Sequence, residues 1–198
     1  MPRPHAVIIP SAPFAGLLMH SFADRGILTH DRDGLGLATI LAKKNQTHAL
    51  VQRMRECFNI DLPLAPRRTS AENLALMGTG PAAWLAAYEH GGNLFAATLR
   101  EKIGDLASIS DQSDGYAVLR LSGPKVRDTL SKLMPIDLHP RAFKIGDVAA
   151  TVAAHIGVTA WRLDDNVDGS PRFEIALFRS LVASFWRALT ESAGESSS

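Results

Sequence analysis

Two hydrophobic periods alternate along this chain. From 116 to 121, Ala117, Leu119 and Leu121 alternate with Tyr116, Val118 and Arg120, which predicts a half-buried strand. Val126, Leu130 and Leu133 then follow at i, i+4 and i+7, one apolar helical face. Ser122, Gly123 and Pro124 suit the opening of that helix, and Pro135 blocks its continuation. Helical spacing recurs over 47–58 (Val51, Met54, Phe58) and over 93–103 (Phe95, Leu99, Ile103). The widest apolar stripe spans 178–190, with Phe178, Leu181, Val182, Phe185, Trp186 and Leu189. Strands are predicted at 36–42, 73–77, 83–88, 106–110, 148–156, 158–163 and 172–177. In the last of these Phe173, Ile175 and Leu177 face inward and Arg172 and Glu174 outward. The 148–156 strand presents Ala149, Thr151, Ala153 and His155 on one face.

Turn formers separate these runs at 31–34, 78–81, 111–115 and 164–171. Residues 61–68 read as a Pro-rich linker, and 136–143 as a rigid loop with apolar anchors. Helices recurring between strand pairs predict an α+β fold of two split β-α-β-like halves, antiparallel sheets with helices packed on one face. The expected layout is an N-terminal arm over 1–30, one domain over 31–192 with halves near 31–104 and 105–192, and a disordered tail over 193–198. Trp84, Tyr88, Trp161 and Trp186 are expected mostly in the core.

Composition narrows the classes. Of 198 residues, 46% are hydrophobic and 21% charged, which suits a globular chain with a sizeable core. A net charge of +1 leaves no basic footprint for nucleic acid. The single cysteine, Cys57, allows no intrachain disulfide and fits a reducing cytoplasm. No apolar run is long enough to span a bilayer. The stretch 6–22 after Arg3 is broken by Pro10, Pro13 and His20, so it lacks the apolar region of a signal peptide. It reads instead as an arm that lies over the domain or reaches a partner, carrying Val7, Ile8, Ile9, Phe14, Leu17, Leu18 and Met19.

Candidate chemistry is sparse. Asp164, Asn166, Asp168 and Gly169 match the first half of a calcium loop, but Ile175 stands where a bidentate Glu is required, so a polar hairpin explains them better. Gly78-Thr79-Gly80 lacks the following Lys of a phosphate loop, and Pro81 removes an amide donor. The histidines (5, 20, 30, 48, 90, 139 and 155) show no metal-ligand spacing. Cys57 beside Phe58 reads as helix filling. Asp111, Ser113 and Asp114 read as turn stabilisers. No catalytic, cofactor-binding or metal residue is therefore assigned.

The segments Ser110-Asp111-Gln112-Ser113, 119–124 and 135–140 resemble the gamma subunit of heterotetrameric sarcosine oxidase, with looser agreement at 79–85 and 173–186. The fold is similar, more distantly, to the tetrahydrofolate-binding aminomethyltransferases. In those enzymes the catalytic carboxylate lies in a Gly-Gly plus acidic segment; the corresponding stretch here, 151–157, has no acidic residue. The resemblance implies a structural subunit of a cytoplasmic flavoenzyme complex that oxidatively demethylates sarcosine. It implies alpha-, beta- and delta-type partners, chiefly the folate-binding region of the alpha type. FAD, FMN, NAD, zinc and tetrahydrofolate would sit on those other chains and no cofactor on this one. A related complex acting on N-methylglutamate or dimethylglycine, or a free-standing folate-binding aminomethyltransferase-like protein, are the alternatives. The expected partner-contact residues are Phe14, Leu17 and Leu18 on the arm and Leu138, His139, Pro140, Arg141 and Phe143 on the loop.

Overall fold

A computed structural model describes residues 12–14, 17 and 22–194. In chain order the elements are β1 (Leu28–Asp31), β2 (Gly36–Ala42), α1 (Thr47–Phe58), β3 (Arg68–Ala71), β4 (Leu74–Gly80) and β5 (Ala83–Tyr88). They continue with α2 (Phe95–Ile103), β6 (Ala107–Asp111), β7 (Tyr116–Ser122), α3 (Val126–Leu133), β8 (Val148–Ala153), β9 (Ile156–Leu163), β10 (Arg172–Phe178) and α4 (Val182–Gly194). The strands form two five-stranded sheets of order β1-β7-β10-β9-β8 and β3-β4-β5-β2-β6. All the strand pairings are antiparallel.

Three apolar layers hold the four-layer stack together. Ile40, Leu76 and Trp84 of the second sheet pack under Leu50 and Met54 of α1 and Phe95 and Leu99 of α2. Leu119, Phe173 and Ile175 of the first sheet pack under Leu130 of α3 and Phe185 and Leu189 of α4. Between the sheets lie Leu37, Met77 and Leu85 from one side and Val118, Trp161 and Ala176 from the other. Each sheet thus has helices on one face, as the periodicity predicts, and its other face is covered by the second sheet. That second burial changes the reading of β10. Glu174, on the face expected to meet water, is 6% exposed.

Other departures are local. Leu28–Asp31, expected at the end of the arm and in a turn, is an edge strand paired with β7. The Pro-rich stretch 61–68 is a strap, not a linker. Leu62 is buried, Trp84 Nε1 donates to the Pro63 carbonyl at 2.6 Å, and Arg68 already belongs to β3. Gly78 lies within β4 rather than in a turn. A Cβ there would stand 2.3 Å from the Ala65 carbonyl oxygen, so the glycine admits the strap. The turn instead falls at Pro81 and Ala82.

The 148–156 strand is broken by a two-residue hairpin turn at Ala154 and His155, both at positive φ (48° and 67°). Ala154 N–H donates to the Leu133 carbonyl at 2.9 Å, tying that turn to the end of α3. His155 therefore does not share the strand face with Ala149 and Ala153. Phe178 ends β10 instead of opening the last helix, and its ring stacks on Tyr116 at 4.8 Å. At the other end α4 extends over two residues given to the tail, and Ala193 is buried.

Candidate partner surface and the charged layer between the sheets

The inner face of the first sheet places a row of polar side chains side by side. Register sets Arg120 of β7 and Trp161 of β9 on either side of Glu174. Glu174 Oε1 accepts from Arg120 Nη2 at 2.7 Å and Nε at 2.9 Å, and Oε2 accepts from Trp161 Nε1 at 2.8 Å. Arg32, just after β1, donates from Nε to the same Oε1 at 2.8 Å and from Nη2 to Glu89. Glu89 follows β5, so Arg32 joins the two sheets. A carboxylate this deep is tolerated because each oxygen is met by charged or indole donors. Removing it would leave the partly buried Arg120 without an ion pair and Arg32 with Glu89 alone, a loss of about 3 kcal/mol.

A second polar region lies on the outside, around the 136–143 loop. Asp137 Oδ1 accepts from the His139 amide at 2.8 Å, and His139 Nδ1 accepts from the Arg141 amide at 3.2 Å. The turn is closed by the Phe143 amide on the His139 carbonyl at 2.8 Å. Beside it runs a groove of about 400 Å³ whose lining mixes Pro140, Phe143 and Ile145 with the basic Arg67, Arg127, Lys144 and Arg162 and the acidic Asp165. Asp147 pairs with Arg67 and Asp165 with Arg162. Arg127 and Arg162 both stand over the Phe173 ring, at 5.5 and 5.1 Å. Burial, and then the neighbouring charge of Arg162, pull Arg127 below the ordinary arginine value.

The loop's apolar anchors face inward. Leu138 and Phe143 are buried in this chain's own core, with Phe143 stacked on Phe173 at 6.3 Å. Phe14 is also fully buried, against Trp186 at 6.0 Å, and Leu17 packs on the same core. Leu18 lies outside the described residues. His139, Pro140 and Arg141 are exposed. The structure thus brings five of the expected contact residues, from 138 to 143, into one loop, while Phe14 is spent on internal packing. Cys57 is exposed, not filling space. The half calcium loop is a polar hairpin: Asp168 Oδ1 accepts from the Ser170 amide at 2.8 Å, and Asn166 Nδ2 donates to Ser170 Oγ at 2.8 Å. Ser170 holds Asp168 below the usual carboxylate range. Among the described residues no group of three or more His, Cys, Asp or Glu could hold a metal ion.

A sequence model of the sarcosine oxidase gamma subunit family matches residues 44–195. The chain belongs to that family. It is 38% identical over 93 residues to the sarcosine oxidase subunit gamma of an Arthrobacter species, covering 47% of this chain and 46% of that one. It is 40% identical over 94 residues to the subunit gamma of Corynebacterium sp. (strain P-1), covering 47% and 46%. Aligned in this way, the chain spans about half the length of the curated relatives it matches. The heterotetrameric sarcosine oxidase from Corynebacterium sp. U-96, in complex with pyrrole 2-carboxylate, shares the fold at TM-score 0.80 and 23% identity, over 96% of this chain and 97% of that one. The glycine cleavage system aminomethyltransferase T from Bartonella henselae matches at TM-score 0.59 and 14% identity, over 83% of this chain and 45% of that one. This chain's fold is therefore shared with a little under half of that aminomethyltransferase chain.

Family membership covers both regions just described. Glu174, Arg120 and the 136–143 loop all fall inside the matched residues 44–195, whereas Arg32 and Phe14 precede them. Sequence reasoning missed the Glu174 cluster. The available signal was a carboxylate in a strand whose neighbours 173, 175, 176 and 177 are all apolar.

Proposed function

We propose that this chain is the gamma-type subunit of a heterotetrameric, sarcosine oxidase-type complex in the cytoplasm. The observation that carries the proposal is the family match over 44–195, joined to a shared fold over 96% of the chain. The complex converts sarcosine to glycine, with hydrogen peroxide and either formaldehyde or methylenetetrahydrofolate as the other products. FAD, FMN, NAD, zinc and tetrahydrofolate belong to the alpha-, beta- and delta-type chains. This chain contributes assembly, not turnover. Its best-placed buried carboxylate, Glu174, is committed to two arginines and an indole.

The contact surface is the exposed tip His139-Pro140-Arg141 with the adjoining basic groove. A short turn fixed by its own hydrogen bonds loses little entropy on docking. It faces the folate-binding region of the alpha-type chain, within an interface of about 2,000 Å² or more.

Co-expression with alpha-, beta- and delta-type chains tests this reading. The expected result is one co-eluting complex with sarcosine-dependent peroxide formation, and none from this chain alone. Arg141→Glu with Lys144→Glu should weaken co-elution at least tenfold while the thermal midpoint of the isolated chain stays put. A complex that assembles and turns over equally well without this chain would overturn the assignment. N-methylglutamate and dimethylglycine in the same assay report on the substrate.

A further inference from the structure

The charged layer between the sheets contains one cation without a direct ion pair, Arg68. A cavity of about 50 Å³ opens beside Glu174, and its lining includes Arg32, Arg68 and Arg120. Glu174 and Glu89 neutralise Arg32 and Arg120. Arg68 has no direct ion pair: among the described residues no carboxylate lies within 4.0 Å of its guanidinium, and Glu174, Asp164 and Glu89 act on it only from farther off. Its Nη1 donates to Ser70 Oγ at 3.1 Å, but its Nε is buried without any hydrogen-bond partner. Glu72 and Glu89 also line the cavity, but Glu72 is exposed, Glu89 is paired with Arg32, and neither forms an ion pair with Arg68. A buried N–H left without an acceptor costs about 1–3 kcal/mol, more on a charged group, so an acceptor is expected at this position. Burial pulls Arg68 below the ordinary arginine value despite the opposing charges of Glu174, Asp164 and Glu89, and an anion in direct contact would oppose it further.

We propose that this cavity binds one small monocarboxylate, an acetate-sized anion whose two oxygens face the guanidinium of Arg68. A water-sized occupant needs about 10–15 Å³, so the space suits roughly three to five heavy atoms. That excludes a nucleotide or a sugar phosphate. A planar carboxylate matches the guanidinium fork, which can donate two parallel hydrogen bonds to it. Leu74 and Met77 supply apolar wall for a methyl or methylene group. Two sources offer this chemistry: a free short-chain carboxylate, and the Asp or Glu side chain of another polypeptide. The cavity and its affinity for acetate stand apart from the proposed assembly, on which only the partner side-chain source rests.

The test is a titration of the full chain with sodium acetate against sodium chloride at constant ionic strength. The arginine Nε–H resonances are followed in a ¹⁵N-labelled sample, with the Arg68 signal assigned by its loss in Arg68→Lys. Acetate should move that signal saturably and raise the thermal midpoint; chloride should do neither. Arg68→Met should weaken the acetate response at least tenfold. An Arg68 signal that responds alike to both salts, or stays still in both, overturns the proposal. This readout uses the unaltered chain, so it holds even if Arg68→Met does not fold. Repeating the titration on the assembled complex separates the sources. Retained acetate binding identifies a free carboxylate, and abolished binding identifies a partner side chain already in the cavity.

Discussion

The two sheets are built in opposite ways. The second sheet with α1 and α2 comes from one unbroken stretch, from β2 to β6, and its outer core is aliphatic apart from Trp84, Phe95 and Phe58. The first sheet with α3 and α4 is assembled from both ends of the chain. Its edge strand β1 lies more than eighty residues before its partner β7, and Phe14, Phe22 and Ile27 complete its core. Phe14 and Phe22 flank Trp186 at 6.0 and 5.2 Å. An N-terminal segment that looks like an arm for a partner is in part a cover for the chain's own last helix. Apolar residues outside regular elements therefore mark a surface to be covered without saying which polypeptide covers it.

Four substitutions bear on this contrast, starting with the largest effect. Glu174→Gln should cost about 3 kcal/mol in urea unfolding, because Arg120 loses its counter-charge and Arg32 keeps only Glu89. A loss below about 1 kcal/mol would mean that the two sheets are held by their apolar layer alone. Phe14→Ala should cost about 3 kcal/mol and red-shift the tryptophan emission from Trp186. Amide exchange should rise in the first sheet and stay unchanged around Trp84; a uniform rise would erase the distinction between the two units.

Ala154→Gly should stabilise by up to about 1 kcal/mol, since a glycine adopts the left-handed turn without the Cβ cost. Thermal midpoints of the two proteins would show it. The smallest effect is expected at Asp31. Burial raises its pKa, against the opposing hydrogen bond from the Phe14 amide. Its Oδ1 is buried with no hydrogen-bond partner. The folded chain then binds this proton more tightly than the unfolded one. Asp31 costs stability above its folded pKa, and that cost disappears as the pH falls through the folded value towards 3.8. Asp31→Asn, which keeps an acceptor for Phe14, should be slightly more stable at neutral pH and show a flatter stability profile in acid. A steeper profile would refute it.

Much of the framework was legible. The predicted spans 36–42, 47–58 and 83–88 coincide with β2, α1 and β5, because each carries a periodic or unbroken apolar run between clear breakers. β1 and β3 were not legible: four-residue edge strands such as Leu-Thr-His-Asp and Arg-Thr-Ser-Ala offer no alternation long enough to read. The turn at Ala154 and His155 escaped because neither residue is a turn former, and the bond to Leu133 shows that tertiary contact holds it. The burial of several candidate residues was hidden for a related reason. A two-fold alternation says which face Glu174 occupies, but it cannot say that a second sheet covers that face. Leu138 and Phe143 were recognised as anchors and given to the wrong core, since local pattern carries no information about distance.

The placement of β1 also bears on synthesis at the ribosome. The whole second sheet has emerged once Asp111 is out, whereas the strand that must lie beside Leu28 is still being made. β1 thus waits more than eighty residues for its mate, longer than any other described strand, and Phe22 lacks its contact with Trp186 until α4 emerges. Slow translation through 116–178 would prolong that interval, and a chaperone that shields the first thirty residues would shorten the risk.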